Sequence, residues 1–337
     1  MNHPGVYLFL LAFILITACQ SLSDKPDRQA VGEINNPLEQ LNDAIAKDST
    51  NAVLYNQRAQ LYLGIGQADK ALMDISNALD YDEANADIFM TLADIYFVMD
   101  QPDNVNTSLL KAADLEPENP KPLIKLAELS LLTGKLGIAL GFTDKALELN
   151  SYNPEAYYVR GMVFLAHEDT LSALKNLQLA LDQQDDFYEV LMQIASLYAA
   201  QRNELATMYL RKALQLFPDR MKARYELALY LQDNDQFEEA LLQYDTLLTV
   251  VPNNKYVLFN MGYVYMVYME QFSKAIEYFD EALLNDPNYI DALYNKGRAL
   301  EELGRYSNAR DIYDEVLRRE ANYMLAVDGL NRLDRRR

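Results

Sequence analysis

The chain has 337 residues, half of them hydrophobic, with 50 acidic against 30 basic side chains and a formal charge of −20. That much apolar surface can bury a core, which excludes a disordered chain, and so negative a surface repels phosphate backbones, which excludes nucleic acid as the main ligand. One Cys and two His exclude an internal disulfide framework, a zinc–thiolate cluster and a histidine-based metal site.

The first predicted element is an address. Val6–Ile16 is an unbroken apolar run that reaches 13 residues when continued to Ala18, short of the roughly 20 a helix needs to cross a bilayer. It reads as the core of a secretory signal. The run ends in Ile16-Thr17-Ala18-Cys19, which resembles the lipobox of bacterial lipoproteins. The resemblance implies that residues 1–18 are a signal peptide and that Cys19, the only Cys, carries the palmitate-type lipid that anchors the chain to the membrane. Met1–Gly5 lacks the Lys or Arg usual in such signals. Gln20 rather than Asp after the Cys implies, by the sorting rule of that family, an outer-membrane lipoprotein facing the periplasm of the cell envelope. Residues 19–37 are polar with no clear helical stripe and are expected to be a flexible tether. As a random coil it spans on the order of 25 Å.

Residues 38–51 read as an N-terminal capping half-repeat with Leu41, Ala44 and Ile45 on one face. From 52 to 323 one motif recurs eight times, over 52–85, 86–119, 120–153, 154–187, 188–220, 221–254, 255–289 and 290–323. Each unit holds a small residue (Ala59, Ala93, Ala127, Gly161, Ala195, Ala228, Gly262, Gly297) and, later, another (Ala71, Val105, Ala139, Ala173, Ala206, Ala240, Ala275, Ala309). Large residues such as Tyr55, Phe89, Tyr157 and Leu258 precede the first small residue, and Tyr62, Tyr96, Phe164 and Tyr265 follow it. Pro117, Pro218, Pro252 and Pro287 close four units. A period near 34 with these positions resembles the tetratricopeptide repeat, a helix–turn–helix unit. The resemblance implies an all-α fold, a right-handed superhelical α-solenoid, whose ends need caps because each unit buries its apolar face on its neighbours. Residues 324–337 read as the C-terminal capping helix, with Val327, Leu330 and Leu333 inward and Arg332 in solvent. The fifth unit is one residue short and the seventh one long.

No phosphate loop, HExxH pair, Ca²⁺ loop or nucleophile elbow can be read. The carboxylate pairs Asp185-Asp186 and Glu238-Glu239 sit at helix starts or turns, and no isolated pair with an apolar surround is visible. The chain is therefore expected not to be an enzyme and to use neither a cofactor nor a metal.

The resemblance also assigns an inner face, formed by the fifth, ninth and twelfth residues of each unit. In the middle units these include Met90, Asp94, Phe97, Ile124, Glu128, Tyr158, Met162, Leu165, Met192, Tyr225, Leu229, Phe259, Tyr263 and Met266. A face so rich in Met and aromatics fits a binding groove for a peptide or helix of a protein partner. It also fits contacts between successive first helices, and the sequence leaves both readings open. The family's Lys/Asn/Arg clamp for chaperone C-termini is absent: Asn260 and Asn295 match one position, but Tyr225, Phe259 and Asp291 stand where Lys is needed. The expected function is a non-catalytic interaction scaffold assembling an envelope complex; the alternative is a regulatory or substrate-presenting subunit of an envelope enzyme or secretion machine on another chain.

Overall fold

The computed structural model describes residues 28–335, with side chains from Pro37 onward. The signal segment and Cys19 lie outside the described residues. Among the described residues there are eighteen α-helices and no strand. The described residues divide into two compact units, one up to Val190 and one from Leu191 onward.

Both units follow one rule: a first helix of 13 residues, a tight turn, and a second helix of about the same length that returns antiparallel against it. After α1 (Arg28–Lys47), the pairs are α2/α3 (Ala52–Gly64, Ala68–Tyr81), α4/α5 (Ala86–Val98, Pro102–Leu115), α6/α7 (Pro120–Leu132, Leu136–Leu149) and α8/α9 (Pro154–Ala166, Thr170–Gln183). They continue as α10/α11 (Tyr188–Ala200, Leu205–Leu216), α12/α13 (Met221–Asp233, Phe237–Val250), α14/α15 (Lys255–Val267, Phe272–Asn285) and α16/α17 (Ile290–Glu302, Tyr306–Arg319), closed by α18 (Met324–Arg335). The chain is an all-α helical-repeat solenoid.

Local sequence explains the starts and stops. Asn51, Asn85, Asn119, Asn153 and Asn254 each accept a hydrogen bond from a backbone N–H of the helix that follows, which satisfies a donor that the first turn leaves free. Between the helices of every pair one residue is left-handed: Gly66, Asp100, Gly134, Glu168, Arg202, Asp235, Glu270 and Gly304, with φ from 52° to 73°. Only three of these eight are Gly, so five turns hold a side chain in a conformation that disfavours one.

The small residues of the sequence pattern sit where paired helices approach most closely. A Cβ on Gly262 would lie 2.7 Å from the Phe279 ring, and one on Gly297 2.8 Å from that of Tyr313. Ala59, Ala127 and Ala228 are fully buried in the same role. The seventh unit absorbs its extra residue before the left-handed turn. There Gln271 N donates to Tyr265 O, six residues back, whereas Gln67 N donates to Tyr62 O, five back.

A basic residue of the first helix clasps three successive helices. Arg58 donates to Asp74 in α3 with two bonds of 2.7 Å and to Asn42 in α1 with a third of 2.7 Å. Arg160 repeats the geometry with Asn176 at 2.7 Å and Asp144 at 3.1 Å, and Lys296 reaches back to Asp280 at 2.6 Å.

Two expectations need correction. Of the tether expected over 19–37, residues 28–37 are helical, and 19–27 lie outside the described residues. In the sequence, Val31 and Ile34 continue the i, i+3, i+7 spacing of Leu38, Leu41 and Ile45 backwards. Pro37 lies inside the helix at the cost of one backbone bond. In α18, Arg332 does more than face solvent: it donates to both carboxylate oxygens of buried Glu301 at 3.1 and 2.9 Å. Tyr313 donates to the same carboxylate at 2.8 Å. Ala326, Gly329 and Leu333 are the buried residues of that helix.

Candidate functional site

In the first unit the inner-face residues of α4 and α6 open into a pocket of about 400 Å³. Met90, Asp94 and Phe97 line it from α4, Val105 and Leu109 from α5, Ile124, Glu128 and Leu129 from α6, and Glu155 from α8. Lys121 and Lys125 complete the wall. Helical spacing places them: Met90, Asp94 and Phe97 fall at i, i+4 and i+7, as do Lys121, Lys125 and Glu128, so each set shares one face.

The charges in the pocket are unequally served. Lys125 Nζ donates to Asp94 Oδ1 at 2.5 Å. Glu128 is half-buried and has neither a hydrogen bond nor an ion pair among the described residues. Loss of solvation pushes its carboxyl up to about 7, with Glu155 and Asp94 adding to the rise and Lys125 opposing it. Spacing along α6 does not reveal a carboxyl in such a surround, because much of the apolar wall (Met90, Phe97, Val105 and Leu109) comes from α4 and α5. Burial, followed by Glu189 and Glu128, likewise holds the Tyr158 phenol protonated far above its usual range. The Tyr158 ring packs against Phe187 at 5.3 Å.

In the second unit the corresponding face is aromatic. Asn260 donates to the Tyr225 hydroxyl at 3.1 Å, and burial raises that phenol while the Asn260 bond opposes the rise. Phe259 lies 5.2 Å from Tyr289 and 5.8 Å from Phe279. Tyr263 meets Tyr268 edge-on at 6.1 Å, and Tyr268 stacks on Phe237 at 4.4 Å.

The structure sorts the fourteen expected inner-face residues into two groups. Met90, Asp94, Phe97, Glu128, Tyr158, Leu165, Tyr225, Leu229, Phe259 and Tyr263 are half-buried and keep part of their surface exposed. Ile124, Met162, Met192 and Met266 are buried. Met162 belongs to an inter-repeat cluster with Leu131 and Ala139, and Ile124 to one with Ala127 and Val159. Met162, Met192 and Met266 are corrected from groove to core, and Ile124 is a core residue whose edge lines the pocket, because successive first helices pack on one another, as α2 does on α4 and α6 on α8. Asn295, the other residue matching the chaperone clamp, donates to the backbone oxygen of Asp291. Lys121, Val105, Leu109 and Glu155 line the pocket without having been expected; their place depends on how α5 and α8 lean on α4 and α6. Among the described residues no group of acidic, His or Cys side chains could hold a metal ion, and no helix is long and apolar enough to cross a membrane.

Comparison with known proteins fits this geometry. Tetratricopeptide-repeat family models match residues 41–73 and 265–323. The chain is 29% identical over 114 residues to the uncharacterized protein ycf37 of Guillardia theta, covering 32% of this chain and 64% of that protein. It is 50% identical over 40 residues to an uncharacterized protein of Methanocaldococcus jannaschii, covering 12% and 46%. The chain thus spans less than two thirds of the length of either relative. Among solved structures it is similar in fold to PilW, a widely conserved type IV pilus biogenesis factor, with TM-score 0.52, 18% identity, and 60% of this chain and 94% of that one covered. It is similar likewise to pilF of Pseudomonas aeruginosa, with TM-score 0.51, 17% identity, and 62% and 95% covered. Helix pairing and period agree with these matches: the chain is an all-α helical-repeat solenoid in which residues 41–73 and 265–323 match tetratricopeptide-repeat models.

Proposed function

We propose that this chain is a non-catalytic interaction scaffold, anchored through lipid on Cys19 in the outer membrane of a bacterial envelope, whose first-helix face binds a peptide or helix of a protein partner. The observation that carries the reading is, in the first unit, half-buried Met90, Phe97 and Tyr158 on first helices that line or flank an open pocket of about 400 Å³, and, in the second, the half-buried aromatics Tyr225, Phe259 and Tyr263. Partly exposed aromatics and Met are the residues that anchor partners and repack around them. PilW, whose fold is similar, is a type IV pilus biogenesis factor; assembly of an envelope complex is the corresponding role proposed for this chain.

The test has two arms. Fatty-acid labelling of cells expressing the full chain should be lost in Cys19→Ser, with the uncleaved precursor accumulating; unchanged labelling removes the anchor from the reading. Tyr225→Ala and Tyr263→Ala should each melt within a few degrees of the parent and lose partner capture, since aromatic anchors commonly contribute about 2 kcal/mol or more to binding. A large fall in melting temperature for both would make them core, as buried large side chains cost about 3–5 kcal/mol when cut to Ala.

A further inference from the structure

The pocket between α4 and α6 contains a carboxyl group, Glu128, that no described residue hydrogen-bonds. Three carboxylates line it, Asp94, Glu128 and Glu155, against two ammonium groups, Lys121 and Lys125. Lys125 is engaged by Asp94 at 2.5 Å. Lys121 is exposed at the rim. Glu128 is half-buried with no hydrogen bond or ion pair among the described residues.

We propose that this pocket receives one basic side chain, Lys or Arg, from a partner segment whose neighbouring residues are apolar, and that Glu128 is its counter-ion. The inference rests on the reading of the first-helix face as a peptide-binding surface, and it specifies what that peptide must carry.

Size and charge both select this occupant. About 400 Å³ is at the small end of ordinary ligand pockets, which run from about 300 to 1,000 Å³. It admits a few side chains rather than a whole helix. Lys and Arg have apolar stems that lie along surfaces such as Met90, Phe97 and Leu109, while the charged head seeks a partner. An aromatic ring in the wall adds its own attraction for a cation. An incoming carboxylate would instead become the fourth negative group in the pocket. A purely apolar side chain would leave Glu128 with less water and still no partner, which costs more than leaving it half-exposed. At long range the formal charge of −20 steers basic segments toward the chain.

Proton uptake is coupled to occupancy. The titratable groups facing Glu128 are Asp94 from α4, Lys121 and Lys125 from α6, and Glu155 and Tyr158 from α8; α5 contributes only Val105 and Leu109. In the empty pocket the Glu128 carboxyl holds its proton up to about pH 7. A bound cation favours the carboxylate, so the proton leaves to solvent as the basic side chain enters. Binding is therefore tighter at pH 8 than at pH 5.5.

Two measurements on the full chain test this separately from the groove reading. The first uses 12-residue peptides with Leu at alternate positions and one central residue that is Arg, Lys, Gln, Glu or norleucine. Arg and Lys peptides should bind at least tenfold more tightly than the Gln and norleucine peptides at pH 8. That preference should vanish in Glu128→Gln and shrink severalfold at pH 5.5. The second follows the ¹³C carboxyl resonance of Glu128 while n-butylguanidinium is added. Its titration midpoint should fall by at least half a pH unit, with little change at the exposed Glu118. Peptides that bind without regard to the central residue, with Glu128 unmoved, overturn the counter-ion role and leave the groove reading standing. A Glu128 that responds to butylguanidinium while no peptide binds supports the pocket and overturns the peptide groove. Tightest binding by the Glu peptide would overturn the inference and make the site anionic in preference.

Discussion

Glu128→Gln isolates the cost of a charge in the pocket. In the folded chain the carboxyl is pushed up from 4.5 to about 7, a rise of about 2.5 units, or about 3 kcal/mol at about 1.4 kcal/mol per unit. Between roughly pH 4.5 and 7 the folded state holds more of this proton than the unfolded state does. Stability therefore falls as pH rises through that window and stays lower above it. Gln keeps the shape without the charge, so the variant should gain nothing at pH 4.5 and up to about 3 kcal/mol at pH 8. Repeat arrays unfold in pieces, which makes local hydrogen exchange the suitable assay. At pH 8 the amides of α6 should open roughly a hundredfold less often in the variant than in the parent. At pH 4.5 the two should agree. A ratio that is the same at both pH values would refute the charge argument, because a packing change has no reason to follow this titration.

Arg332→Met takes both guanidinium bonds from the Glu301 carboxylate, which is 4% exposed, and leaves it the Tyr313 hydroxyl. The loss should be about 2–3 kcal/mol, below the 3–5 typical of fully buried pairs because Arg332 itself is partly solvated, and hydrogen exchange in α16 and α17 should register it. Gly262→Ala puts a Cβ 2.7 Å from the Phe279 ring and should cost about 1–3 kcal/mol through overpacking, seen as faster exchange in α14 and α15. At the left-handed turns the sign reverses with residue type: Asp100→Gly should stabilise by up to about 1 kcal/mol, whereas Gly134→Ala should destabilise by about 1–2 kcal/mol. Urea midpoints that move in the same direction for both would contradict the turn assignment.

Steric requirements at close range were legible in the sequence, and angles between helices were not. Gly161, Gly262 and Gly297 stood out because only a small residue fits beneath Leu177, Phe279 and Tyr313. The left-handed turns at Glu168 and Arg202 gave no such sign, since neither residue favours that conformation and tertiary packing imposes it. The beginning of α1 at Arg28 was missed through Pro37 and the polar residues around it, although the stripe from Val31 to Ile45 was present. For the pocket, the face of α4 and α6 could be read from spacing alone. The isolation of Glu128 could not, because it depends on Val105 and Leu109 arriving from α5 and on Lys125 being drawn to Asp94.

The clasps have a consequence for how the array comes apart. A terminal repeat has a neighbour on one side only, so solenoids lose order from their ends inward. Here the basic residue that ties successive helices occurs near both ends, as Arg58 in the first pair and Lys296 in the last. The last pair is further laced to α18 by Arg332 on Glu301 and is tied to Tyr323, just before that helix, through Asp291. Peeling α1 away leaves Arg58 one acceptor short at a partly buried site, and peeling α18 away strips the guanidinium from Glu301. Each end thus resists unravelling by the expense of uncovering a polar group rather than by apolar contact alone. That resistance weakens with salt at the charged ties of the C-terminal end, Lys296–Asp280 and Arg332–Glu301, whereas the tie from Arg58 to the neutral Asn42 is less sensitive, so the two ends should respond differently to ionic strength.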